Sequence, residues 1–187
     1  MRIERGSLSM VLEQASVRRA VLDDVPAIAS VHVAAWQSAY AGILPDEVLA
    51  ALSVENRAAM WEKVLAEESD AKHLFVAESA DAGIVGFAAL GPEGSGQSDY
   101  ESELYAIYIL EAYQRQGIGL ALFQAAVNAL LADGFRSMIV WVLADNTARY
   151  FYEALGGSQA ARRTVSVADT RYSEIGYGWA PLTAPAS

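Results

Sequence analysis

Apolar positions along this chain fall on helical faces or in short runs. Val25, Ile28, Ala29, His32 and Trp36 recur on one helical face. They follow Asp23-Asp24 and Pro26, a carboxylate cap with proline in the first turn, and the pattern ends at Gly42. His32 on that face is expected to be a packed core histidine. Residues 45–52 read as a short helix. Ser53 is placed to cap another, running to about 68 with Trp61, Val64 and Leu65 inward. Short runs bounded by turn residues read as strands at 16–21, 74–78, 84–90, 137–143, 158–167 and 172–179, with a hairpin turn at 79–83 and a glycine-rich loop at 91–96.

Two stretches depart from simple amphipathicity. In residues 103–110, Tyr105, Ile107 and Ile109 alternate with Leu104, Ala106, Tyr108 and Leu110, so both faces are apolar. That pattern predicts a strand buried on both sides near the middle of a sheet. Residues 118–132 form a helix whose polar stripe is only Gln124 and Asn128, so it is expected to pack deep against that sheet. A right-handed crossover makes 137–143 parallel to 103–110. A short helix follows at 146–155. This element order predicts a mixed α/β domain.

The length of 187 residues suits one domain. It is expected over 15–181, with a flexible N-terminal tail at 1–14 and a C-terminal tail at 182–187. Hydrophobic residues make up 53% and charged residues 19%, with no cysteine. Disulfides, thiolate nucleophiles and cysteine-based zinc are thereby excluded. No apolar run is long enough to span a bilayer and no secretory signal is visible, so a cytoplasmic protein without a membrane partner is expected. A formal charge of -10 argues against a nucleic-acid surface.

The chemistry enters between the central strand and the long helix, at Gln114-Arg115-Gln116-Gly117-Ile118-Gly119. Glycine lets a ligand approach the backbone, and the helix start offers unpaired N–H groups and a positive dipole end. Together these make a phosphate site. A dinucleotide fingerprint would need a third glycine where Leu122 stands, and no Gly-Lys-Ser/Thr of a P-loop follows.

This hexapeptide resembles the Gln/Arg-x-x-Gly-x-Gly/Ala motif of the GNAT superfamily of acyl-CoA-dependent N-acetyltransferases. Residues 145–156, Asp-Asn-Thr-Ala-Arg-Tyr-Phe-Tyr-Glu-Ala-Leu-Gly, resemble that family's second motif. Gly157 stands where many members have phenylalanine, and Glu111-Ala112 replaces a frequent proline. The resemblance implies a GNAT fold: a mostly antiparallel central sheet, splayed parallel strands 4 and 5, and about four flanking helices. It also implies acetyl transfer from acetyl-CoA to a small-molecule amine or a peptide amino group, without a metal. The family commonly forms homodimers. A non-catalytic module that only binds or senses acyl-CoA is the alternative.

Carried over residue by residue, the resemblance implies that Ile107, Tyr108 and Ile109 pair with pantetheine. It places pyrophosphate on the backbone of Arg115, Gln116, Gly117, Ile118, Gly119 and Leu120, with Gln114 opening the motif, and Asn146 on the pantetheine arm. Glu103 would be the general base, with Glu101 and Tyr105 as fallbacks, and Tyr152 the acid for the leaving thiolate. Ile109 N–H would meet the oxyanion. Trp36 and Tyr40 would wall the acceptor pocket, bordered by Tyr172, Tyr177 and Trp179.

Overall fold

The computed structural model describes residues 15–67, 71–94, 96 and 99–184. The expected N-terminal tail lies outside them. The first element, β1 (Ala15–Arg19), leads through a short turn into α1 (Val25–Ala39), α2 (Asp46–Ala50) and α3 (Val54–Ala66). A hairpin follows, β2 (His73–Ser79) and β3 (Gly83–Pro92), then β4 (Ser102–Ile109), α4 (Ile118–Ala132) and β5 (Met138–Leu143). The chain closes with α5 (Arg149–Ala154), β6 (Ser158–Val167) and β7 (Thr170–Trp179).

These strands make one seven-stranded sheet in the order β1-β2-β3-β4-β5-β7-β6. Every neighbour pair is antiparallel except β4 with β5. Helices cover both faces. α4 carries Leu122, Phe123, Ala126, Val127 and Leu130 onto one face, against Val85, Leu90, Leu104, Met138 and Val140. On the other face, Ile28 and Val31 of α1 and Trp61 of α3 pack on Val76, Phe87 and Ala89.

Local chemistry explains the ends. Ser53 Oγ accepts the Asn56 N–H at 3.1 Å, the cap expected for α3. The carboxylate cap expected for α1 is not made. The Asp24 carboxylate instead accepts from both terminal nitrogens of Arg18, at 2.7 and 2.9 Å, and from the Val21 N–H at 2.8 Å. A bidentate guanidinium outcompetes a lone helix N–H, and it holds this carboxyl below its usual range. Leu182, expected in the C-terminal tail, is 4% exposed and joins the core beside α4.

One expectation fails in an informative way. The strand at β4 is central, yet its alternation is broken. Ala89 opposes Ala106 while Leu90 opposes Leu104, which leaves Tyr105 as an extra residue. A bulge of this kind switches the faces. Leu104 therefore shares the α4 side with Ile107 and Ile109, while Ala106 and Tyr108 turn to the α1–α3 side. Tyr105 is 42% exposed instead of buried.

Leu122, which is fully buried between α4 and the sheet, sets the scale for core packing. Leu122→Ala is expected to cost about 3 kcal/mol and to lower Tm by about 6–12 °C in thermal denaturation. A change of a degree or two would show that α4 is not packed as described.

Candidate active site

β4 and β5 are hydrogen-bonded neighbours over only two residue pairs, Ser102 with Met138 and Glu103 with Ile139. β3 accompanies β4 all the way to Ile109, and β7 accompanies β5 all the way to Leu143. Past Glu103 the two parallel strands have therefore parted. The gap is a groove of about 690 Å³ between residues 105–109 of β4 and 140–142 of β5. Its far end is formed by the turn before α4 and by the first residues around α5.

The turn owes its shape to particular backbone conformations. Gly117 sits at φ 85° and Arg115 at φ 59°, both in the left-handed region. Glycine adopts that region freely; arginine is strained there. Gly119 is needed for another reason than ligand approach. A Cβ there would lie 3.2 Å from Ile109 Cδ1 and 3.3 Å from Phe151 Cζ, so its hydrogen lets α4 close onto β4 and α5. The 15-residue α4 begins at Ile118, so its free N–H groups and positive dipole end face the groove mouth.

Of the residues expected at the cofactor, Ile107, Tyr108, Ile109, Gln114, Arg115, Gly117, Gly119, Leu120 and Asn146 line the groove. Two do not. The Ile118 side chain is 2% exposed and belongs to the core, and Gln116 turns its Nε2 back to the Ala112 carbonyl at 2.9 Å. Gln114 Nε2 donates to the Ile109 carbonyl at 3.1 Å, tying the turn to the strand. Asn146 is buried and its Oδ1 accepts the Ala148 N–H at 2.8 Å, which braces the approach to α5. Sequence reasoning assigned no role to Trp141, Tyr150 and Phe151, which stand in the groove wall; the last two lie inside the second matched motif, between Asn146 and Tyr152, and only the unzipping of β5 uncovers Trp141.

Tyr152 is 6% exposed and lines the groove. Burial, with Tyr40 nearby, raises its phenol well above the usual value. Tyr40 and Tyr108 share a hydroxyl–hydroxyl hydrogen bond of 3.0 Å, and burial likewise raises both. Glu103 sits at the last zipped pair, on the α1–α3 side opposite Leu104. Burial raises its carboxyl above the ordinary range, Arg163 opposes that shift, and Glu93 and Glu174 add to it.

Of the fallback bases, Glu101 is engaged, accepting the Arg136 N–H at 2.5 Å. The Tyr105 hydroxyl donates to the Pro92 carbonyl, and burial pushes it up to about 12. Tyr40 lines the groove, whereas Trp36 lines a separate cavity on the α1–α3 side. The strand aromatics divide. Tyr172 packs near Trp36 and Tyr40, while Tyr177 and Trp179 face α4 and α5. The last two face away from Trp36 and Tyr40, because their odd positions on β7 put them on the opposite side of the sheet from Tyr172.

Comparison with known proteins adds an independent line. The family described as "Acetyltransferase (GNAT) family" matches residues 34–156. A Bacillus subtilis (strain 168) protein named "Uncharacterized N-acetyltransferase YuaI" is 39% identical over 169 residues, covering 90% of this chain and 95% of that protein. Among solved structures, yncA from Salmonella typhimurium, described as a putative acetyltransferase with its cofactor acetyl-CoA, superposes with a TM-score of 0.66 at 19% identity. It covers 93% of this chain, which covers 97% of it. The paia N-acetyltransferase of Thermoplasma acidophilum in complex with coenzyme A gives 0.64 at 17% identity, with coverages of 86% and 97%.

Proposed function

Because this chain belongs to the GNAT family of acetyltransferases, we propose that it transfers acetyl from acetyl-CoA directly to a primary amine in a ternary complex. One observation carries the proposal: the parallel strands part after two residue pairs, and a phosphate-suited helix start closes the resulting groove. Pantetheine is an extended chain of amides. It fits the unpaired edge of β4 near Ile107, Tyr108 and Ile109, and the diphosphate fits the N–H groups from Arg115 to Leu120.

The step is a carbonyl substitution. The amine nitrogen attacks the thioester carbon, the C–S bond breaks, and the electron pair leaves on sulfur. The amine's surplus proton passes to Glu103, directly or through water, and the Tyr152 hydroxyl donates to the departing thiolate. A backbone N–H of β4, at Ile109, meets the oxyanion. An amine with a pKa near 10.4 is neutral in only about one molecule in a thousand at pH 7. A base raised by burial is closer to that proton than a solvated carboxylate is.

The test mixes purified protein with acetyl-CoA and a panel of amines, and follows free thiol. Thiol release that depends on an amine is expected, together with calorimetric binding of coenzyme A. Binding without turnover on any amine would leave a sensing module; no binding at all removes the cofactor assignment.

A further inference from the structure

A second cavity of about 960 Å³ lies beside the groove, between α1, α3 and the sheet. The two hollows share Tyr105, Ala106 and Tyr108, so β4 is their common wall. The second is aromatic: Trp36, Trp61 and Tyr108 surround His32 at ring separations of 5.4–5.8 Å. His32 Nδ1 accepts the Trp61 Nε1–H at 3.1 Å. Burial and the nearby Arg57 charge lower His32 to about 4, so the imidazole is neutral at pH 7.

The charges in this wall are lopsided. Lys72 is paired with Glu67 at 2.8 Å, and His73 with Asp133 at 2.5 Å. Arg57 has no carboxylate partner among the described residues. Its guanidinium lies 5.1 Å from the centroid of the Trp36 ring, and its polar contact is the Met60 sulfur at 3.8 Å. At the other end, Tyr105 feels Glu103 and Glu93. One end of the cavity is thus positive, and the end shared with the groove is negative. In a chain with 23 acidic and 13 basic side chains, a guanidinium on an aromatic wall with no carboxylate partner among the described residues calls for an anionic guest.

We propose that this cavity holds the acceptor, and that Arg57 binds a carboxylate on the far side of the acceptor from its amine. The acceptor class is then a free amino acid or amino-acid-like amine with an apolar or aromatic side chain. Its amino end points along Tyr105 and Tyr108 toward the thioester, and its side chain lies among Trp36, Trp61 and His32. This rests on the acetyltransferase reading above.

The experiment compares kcat/KM for L-phenylalanine and L-methionine with that for their decarboxylated partners, phenethylamine and 3-(methylthio)propylamine. The carboxylate-bearing amines are expected to be preferred. In Arg57→Gln that preference is expected to fall roughly 10- to 100-fold, mostly through KM, with Arg57→Lys in between. Calorimetric affinity for coenzyme A checks that each variant is folded. An unchanged preference in both variants, or a wild-type preference for the decarboxylated amines, overturns the proposal. Titrating L-phenylalanine into the wild type and Arg57→Gln separates the two readings. If no amine is acetylated yet L-phenylalanine binds only the wild type, the transfer chemistry fails and the carboxylate site stands. If neither form binds it, the site falls too.

Discussion

Tyr152→Phe is expected to lower kcat about 100-fold while leaving the affinity for coenzyme A within about twofold. The expectation follows from where the hydroxyl sits and from what its burial does. Tyr152 is almost wholly enclosed and its phenol is raised, so it keeps its proton across the working range. A thiol has an ordinary pKa near 8.5, so outright proton transfer from this phenol to a thiolate runs uphill. The role left to Tyr152 is a strong hydrogen bond to sulfur as negative charge builds there. A hydrogen bond to a charged group contributes about 1.5–3 kcal/mol, or roughly 10- to 150-fold in rate. Full general acid catalysis spans about 10² to 10⁴, and the uphill proton places this case at its lower end. Phenylalanine keeps the ring, with its packing against Phe151, Tyr177 and Trp179. Steady-state kinetics beside coenzyme A calorimetry make the measurement. Equal losses in turnover and in cofactor affinity would assign Tyr152 to shaping the groove instead.

The elements were legible in the sequence where periodicity was strong and punctuation clear. The helix at Ile118–Ala132 matches its expected bounds, because fifteen nearly all-apolar positions lie between Gly117 and Asp133-Gly134. The strand pair at the C-terminus was legible as two runs joined by a turn after Val167, although the second strand begins at Thr170, two residues before its expected start. The candidate groove was legible through two motifs that flank it. What stayed hidden is non-local. The bulge at Tyr105 exists only because β3 offers one residue fewer than β4 over that stretch, and no pattern within β4 records it. That bulge carries Leu104 to the α4 side and turns Tyr108 to the α1–α3 side. The engagement of Asp24 by Arg18 depends on β1 lying beside the helix start. Arg57 gave no signal on an otherwise mixed helix; its place over Trp36 requires α3 to cross α1. Propensity and spacing fix elements, whereas chain crossings decide which charges lack a partner.

Glu103→Gln is expected to lower kcat/KM by about 10² to 10³ at pH 7, with the loss shrinking as pH rises. A positioned base contributes about 10² to 10⁴, and its value is greatest where the free amine is scarce. Near pH 10 a lysine-like amine is already about one-third neutral in solution, and the proton shed after attack passes readily to solvent base, so less of the rate depends on Glu103. The wild-type profile should also carry an acidic limb from Glu103 itself. Burial raises this carboxyl, so the limb lies above the ordinary glutamate range; Arg163 works the other way. Arg163 lies 4.1 Å from the centroid of the Trp141 ring and pairs with Glu174 at 2.6 Å. Arg163→Gln removes the cation and unmasks Glu174. Both changes favour the protonated form of Glu103, so the limb should move to higher pH. A base needs to be ionised to accept a proton, hence activity below neutrality falls in that variant and recovers above it. If instead Glu103→Gln lowers activity by the same factor at every pH, the carboxylate serves only to hold the last zipped pair between β4 and β5. The proton would then leave by another route.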